Sequence, residues 1–452
     1  MMKVPATIFC IFVIVYLFWT DRKNVDGVSG AIWLPFLYMV FAGSREISFW
    51  TNYWLGIGAF HGVTEEGNPY ERIYHSVMIV GAFIVLRKRK LNWRELFTQN
   101  IWVCAYFLFA ALSFWWSDYP FVSFKRWIKA LGAVSMVLII STEVRPYQAL
   151  GVILRRMAFV LLPLSVLFIR YYTDIGRTFH HYTGAAMWTG ATGHKNSLGA
   201  LCLMTGMYFS WNILLRRRQE IEGEKEDTED EERLHFSIYV IIIPMIAWLL
   251  YMANSATSLA CLVVALCLFL VARQRVMIEN PRGFLFFGIS CIVILGAMNL
   301  TFDVEEAVIA MLGRRSDLTT RIPMWNTLLT MVRNPIIGYG YDSFWLGERQ
   351  LFMIREWGMD RQAHNGYLDM YLNSGVVGLS LVFAWMLAGL RKVYDYFIID
   401  YANAILRLCF IVIFALYNWT ETSFYGSAPL FLLFLFATIE SPKPKDSEAE
   451  EE

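Results

Sequence analysis

The stretch HNGYLDMYLNSGVVGLSLVFAWMLAGLRK (364–392) passes from polar to apolar to basic along one segment. Residues 376–390 carry no charged side chain, and the run around them has the roughly 20-residue length that a bilayer-crossing helix requires. Arg391-Lys392 closes the run, and clustered basic residues mark the cytoplasmic end of a span. His364, at the other end, therefore stands where an outward-facing loop re-enters the bilayer.

Working outward, similar apolar runs fill the chain. Of 452 residues 57% are hydrophobic and 16% aromatic, and mean hydropathy is +0.44, outside the range of ordinary soluble domains. About thirteen spans are expected, centred roughly on residues 12, 36, 79, 108, 134, 160, 206, 243, 264, 292, 382, 411 and 433. Basic clusters at Arg87-Lys88-Arg89-Lys90, Arg216-Arg217-Arg218, Arg273/Arg275, Arg391-Lys392 and Lys443/Lys445 assign one side to the cytoplasm. Thirteen spans put the N-terminus outside; if the first run is only interfacial, twelve put it inside. The fold class expected is all-α, a polytopic transmembrane helical bundle of about 12–13 spans with a large helical outward loop before the last spans.

One polytopic domain, 1–439, accounts for nearly the whole chain. Its outward segments are 44–72, 116–126, 170–196, 300–373 and 418–427. Residues 216–233 (RRRQEIEGEKEDTEDEER) read as a charged cytoplasmic linker, and 440–452 as an acidic cytoplasmic tail, both solvated. The net charge of +1 offers nothing to nucleic acid. All seven cysteines fall in apolar runs, so neither a disulfide framework nor a thiolate metal site is expected. The first apolar run has no small-residue cleavage site, so no cleavable signal peptide is expected. No internal repeat and no pair of inverted halves is visible, which counts against a transporter.

The chemistry collects in two outward segments. In 300–373 every basic side chain is arginine: Arg314, Arg315, Arg321, Arg333, Arg349, Arg355 and Arg361. Arginine's planar fork grips phosphate bidentately and keeps its charge, which suits a diphosphate. Residues 303–313 have the pattern of an interfacial helix. A second helix over 320–333 would have Thr320 as N-cap and stop at Asn334-Pro335, placing Arg321 in a first turn that favours anions. IGYGYDSFW (337–345) reads as a glycine turn opening another short helix. Residues 362–373 are expected to be helical, with His364 near their start, and a histidine can take a proton from a hydroxyl. Asp369 could orient a polar partner or simply be solvated. In 170–199, GHKNSLG (193–199) runs straight into a span, so Lys195 and Asn196 sit at a helix N-terminus, a natural phosphate site. His180, His181 and His194 have no carboxylate or thiolate at ligand spacing, and no metal site and no cofactor are expected. Glu421, in NWTETSF (418–424), is a lone acid at the membrane edge and a functional hypothesis on that ground.

TGATGHKNSLG (189–199), TTRIPMWNTLLTMVRNPIIGYGYDSFW (319–345) and HNGYLDMYLNSGVVGL (364–379) together resemble the O-antigen ligase and O-antigen polymerase superfamily of bacterial polytopic proteins. WSDYP (116–120) is similar to a motif common after an early span in that superfamily. The resemblance implies a metal-independent, inverting membrane glycosyltransferase of the inner membrane, its site facing the periplasm. Its donor would be an undecaprenyl-diphosphate-linked glycan, and its acceptor a glycolipid such as lipid A–core or another glycan. By the family pattern His364 would be the acceptor-activating base and Arg321 a diphosphate ligand. Lys195 matches the basic position of the earlier motif, Asn365 and Asn196 would support the site, and Arg314 adds a further cation. An early arginine of the family could be either Arg170 or Arg177. A ligase and a polymerase share these motifs. The rival from another class, a transporter of lipid-linked sugars, predicts buried mid-span charges and paired broken helices. A scaffold for polysaccharide assembly would be insensitive to loss of His364.

Overall fold

In the computed structural model the described residues are 2–22, 27–56, 68–179, 184–216, 234–280, 318–358 and 362–441, with the isolated Gly283 and Gly288. The chain is an all-α polytopic bundle. Its principal helices are α1 (Lys3–Asp21), α2 (Trp33–Ala42), α3 (Ile47–Leu55), α4 (Pro69–Lys88), α5 (Trp93–Gln99), α6 (Ile101–Leu112), α7 (Pro120–Ser141), α8 (Pro146–Tyr171) and α9 (Lys195–Trp211). They continue with α10 (Phe236–Ala253), α11 (Ala256–Ala272), α12 (Leu318–Thr330), α13 (Gly347–Trp357), α14 (Gly366–Tyr396), α15 (Tyr401–Thr420) and α16 (Pro429–Thr438). Among the described residues the strands are the antiparallel pair Arg177–Phe179 and Ala186–Trp188.

A helix covers twelve of the thirteen expected span centres, and the other, residue 292, lies outside the described residues. Among the described residues, six helices are long and apolar enough to cross a membrane, or seven if α5 and the segment 101–115, bent by 92°, count as one span. The rest at the expected centres are short apolar helices, or carry charge within their length, as Lys125, Arg126 and Lys129 do in α7. Residues 303–313, Arg314, Arg315, Arg361, His180 and His181 lie outside the described residues, as do 217–233 and 442–452.

The bundle packs α9 between α10 and α11, and α14 against α6 and α15; α15 reaches α11 and α16. Tyr208, Phe209, Trp211, Trp385, Phe414 and Phe434 are almost wholly buried there. On α1, by contrast, Ile8, Phe9, Phe12 and Val15 are exposed, as befits a helix facing lipid. One end of the bundle carries a belt of charged contacts: the ion pairs Arg89 to Glu143 and Arg407 to Glu440 (2.6 Å), and a hydrogen bond from Lys392 to the Thr438 carbonyl at 2.8 Å. Arg155 is buried within the span formed by α8. It lies nine residues past the start of the helix, where Asp21 (2.9 Å) and the Tyr208 hydroxyl (2.8 Å) supply partners.

The other end carries the polar loops. There α12, the 335–346 turn and α13 share a small core of their own, built on Met324, Leu328, Phe344, Trp345 and Met353. Burying each such side chain stabilises the assembly by about 1.5–3 kcal/mol. Arg349 ties this cap to the 116–119 loop, donating to Asp118 at 2.7 Å while lying 4.1 Å over the Tyr339 ring.

Two expectations at this end are corrected. The helix bearing Arg321 runs from Leu318, so Thr320 lies inside it and does not cap it. Helix α14 starts at Gly366, not 362: Asn365 caps it through its side chain, accepting from Tyr367 and Leu368 N–H at 3.0 Å each. His364 therefore precedes the helix, in the left-handed region at φ +50°.

Helix α14 is broken within its third turn. Gly375 has φ +62° and ψ −165°, outside helical geometry. Backbone groups on both sides of the break pair with the neighbouring turn. Tyr339 and Gly340 N–H donate to the Leu372 and Asn373 carbonyls (3.1 and 2.8 Å), while Val376 and Val377 N–H donate to the Pro335 and Ile336 carbonyls (2.9 and 3.0 Å).

Candidate active site

Glu421, just past the end of α15, is the point on which the separate motifs converge. Its Oε2 lies 3.1 Å from His364 Nδ1, and its Oε1 accepts from Asn196 Nδ2 at 2.6 Å. Arg321 Nη2 is 3.8 Å from Oε1, and Arg321 Nη1 donates to the adjacent Thr420 carbonyl at 2.7 Å. The backbones join as well, since Gly366 N–H donates to the Glu421 carbonyl at 3.0 Å. Three separate segments, through Asn196, Arg321 and His364, are thus drawn to one carboxylate.

Local sequence explains each placement. His194 caps α9, its Nδ1 accepting from Asn196 N–H at 3.2 Å, which makes Lys195 the first helical residue and turns Asn196 toward Glu421. Lys195 is half-buried and forms no ion pair among the described residues. Asp369 is buried, not solvated. It accepts from Trp345 Nε1 (2.8 Å), from Ala363 N–H (3.1 Å) and from the Thr422 hydroxyl, so one side chain positions the residues before His364 and after Glu421.

Burial would raise the pKa of Glu421, but the hydrogen bond and charge of His364, helped by Arg321 and His194, hold the carboxyl below the ordinary glutamate range. An ionised Glu421 accepts a proton-bearing Nδ1, which leaves Nε2 of His364 as the basic nitrogen. The left-handed backbone of His364 is a conformation that non-glycine residues keep only where their surroundings impose it.

The two early arginines do not join this cluster. Arg170, exposed at the end of α8, lies 5.5 Å over Trp248. Arg177 is stacked on Phe179 and Trp188, 5.0 and 5.8 Å from their rings, and among the described residues neither arginine is hydrogen-bonded to Asn196, Arg321, His364 or Glu421. A different arginine braces that region: Arg45 donates to the Ile175 carbonyl at 2.6 Å and to the Thr189 hydroxyl at 3.2 Å. Arg314 lies outside the described residues. Asn365 acts on the helix start, whereas Asn196 touches Glu421 directly.

The O-antigen ligase family model matches residues 238–383, about a third of the chain, a range that contains Arg321 and His364. Beside this match stands the exopolysaccharide production protein ExoQ of Rhizobium meliloti (strain 1021), 24% identical over 299 residues. That alignment spans 63% of this chain and 63% of the relative's length. The resemblance to the O-antigen ligase superfamily carried by the three motifs is borne out by these matches. Lys195, Asn196 and Glu421 fall outside the O-antigen ligase match.

Proposed function

We propose that the protein is an inverting membrane glycosyltransferase that moves a glycan from undecaprenyl diphosphate to an acceptor hydroxyl at the periplasmic face of the bacterial inner membrane. The observation that carries this reading is the His364–Glu421 contact of 3.1 Å, with Arg321 held beside it. A histidine oriented by a carboxylate is the arrangement of a general base, and such a base contributes about 10²–10⁴-fold to rate. In the step proposed, Nε2 of His364 takes the acceptor's hydroxyl proton as that oxygen bonds to the anomeric carbon. The bond from that carbon to the diphosphate oxygen breaks on the opposite side, its electron pair leaving with undecaprenyl diphosphate. Arg321 and Lys195 offset the charge gathering there, the electrostatic help that usually lowers such barriers most. No metal is needed for this step.

The test uses purified full-length protein in detergent with undecaprenyl-diphosphate glycan, lipid A–core and EDTA. His364→Asn is the informative variant, because asparagine tolerates the left-handed backbone that alanine would strain. We expect a loss of roughly 10²–10⁴-fold with His364→Asn and a comparable loss with Arg321→Ala, with the wild type unaffected by EDTA. Wild-type rates in either variant would remove that residue's role, and activity restored by Mg²⁺ or Mn²⁺ would overturn the metal-independent step. Glycan moved onto lipid A–core identifies a ligase; longer chains on undecaprenyl diphosphate identify a polymerase using the same site.

A further inference from the structure

A recess separate from the His364 cluster opens among the polar loops. It encloses about 400 Å³, within the ~300–1,000 Å³ of small-molecule sites. Glu46, Arg126, Lys129, Asp342, Trp345 and Tyr425 line it, whereas His364, Arg321 and Lys195 do not. Asp369 and Thr422 form the wall nearest the candidate site, and Asp369 is the residue that anchors Ala363, beside His364. The recess thus shares a wall with the chemistry without containing it.

Its charges argue against a second phosphate site. Two cations, Arg126 and Lys129, face three lining carboxylates, Glu46, Asp342 and Asp369. Arg126 already stands 3.4 Å from Asp342, so its charge is matched. Among these groups stand aromatic rings, and one is held in place: Trp345 is buried and its Nε1 is fixed at 2.8 Å from Asp369. Rigid aromatic faces stack against the apolar faces of sugar rings, and carboxylate, amide and guanidinium groups take their paired hydroxyls.

We infer that this recess is a saccharide subsite, which takes roughly one or two rings of an uncharged part of the glycan next to the bond being made. The inference rests on the transferase reading for its link to reaction but not for the binding itself. Calorimetric titration of the full-length protein with a lipid-free, phosphate-free oligosaccharide cut from the host cell's own surface polysaccharide tests it. Binding should weaken at least tenfold in Tyr425→Ala and in Asp342→Asn, persist in Tyr425→Phe and His364→Asn, and be untouched by inorganic diphosphate. Asp342→Asn keeps the trial decisive if Tyr425→Ala misfolds, since asparagine accepts the φ of +50° found at that position. No binding to wild type, equal affinity in the variants, or displacement by diphosphate would overturn the subsite. In the transfer assay, a raised KM for the lipid-linked donor in these variants assigns the recess to the donor glycan, and a raised KM for the acceptor assigns it to the acceptor; two unchanged KM values count against it. Oligosaccharide binding without transfer would remove the transferase and keep the subsite, whereas transfer dependent on His364 but indifferent to Tyr425 and Asp342 would do the reverse.

Discussion

His364 alone is a polar residue at a membrane edge; what gives it direction is Glu421. The carboxylate is lowered in pKa by His364 and Arg321 against the opposing effect of burial. A depressed carboxyl contributes stability that is present above its unfolded pKa, about 4.3, and is lost as pH falls through the folded value. Glu421→Gln should therefore melt below the wild type at pH 7 in detergent, and the gap should close as pH drops below the ordinary glutamate range. A gap independent of pH would mean that the charge of Glu421 is not what draws the loops together. Glu421→Gln should also slow transfer, since the acceptor that orients Nδ1 of His364 loses its negative charge and no longer stabilises the imidazolium formed in the step. The sequence offered His364, Arg321 and Asn196 from three motifs but left Glu421 a lone acid. Nothing in the local spacing of NWTETSF tells that its carboxylate faces a histidine 57 positions earlier.

Among the elements, the break in α14 sets where the site can form. Gly375 lets the helix part at the level of the 335–340 turn, and a Cβ added there would lie 2.3 Å from the Ile336 carbonyl carbon. Gly375→Ala meets both that clash and a backbone region nearly reserved to glycine, a strain on the order of 1–3 kcal/mol. It should lower the melting temperature and separate the cap carrying Arg321 from α14, which protease sensitivity of 335–346 would report. A variant as stable and as protected as wild type would mean that the helix can close without glycine. Turn chemistry made the glycine turn at 337–345 legible. The helix boundaries were less so: Thr320 looked like a cap by residue type, yet helical backbone already precedes it. His364 looked helical by its neighbours, yet the Asn365 side chain claims the cap one residue later.

The molecule as a whole is a bundle with unlike ends, one belted by ion pairs and the other bearing every segment that meets at Glu421. Accessibility of single cysteines in a cysteine-free background checks its orientation. Glu348→Cys should react with an impermeant thiol reagent in intact cells with opened outer membranes, and Lys88→Cys only after the inner membrane is permeabilised. The opposite pattern would invert the topology and put the site in the cytoplasm. Span positions were readable because apolar runs are local, and helices stand at their centres. Span lengths were not, because tertiary contacts bend and shorten them, as at Asn100, whose side chain donates to the Leu96 and Glu440 carbonyls at 2.8 Å each. The buried pair of Asp21 and Arg155 has a further bearing on how the protein is made. Its members lie 134 residues apart, so at ~5–20 residues per second the ribosome delivers the acid on the order of ten seconds before the base. During that interval α1 must keep its carboxylate at the wet edge of the membrane. Helix α1 is therefore slow to settle although it is made well before α8, and its final depth is set by the arrival of α8.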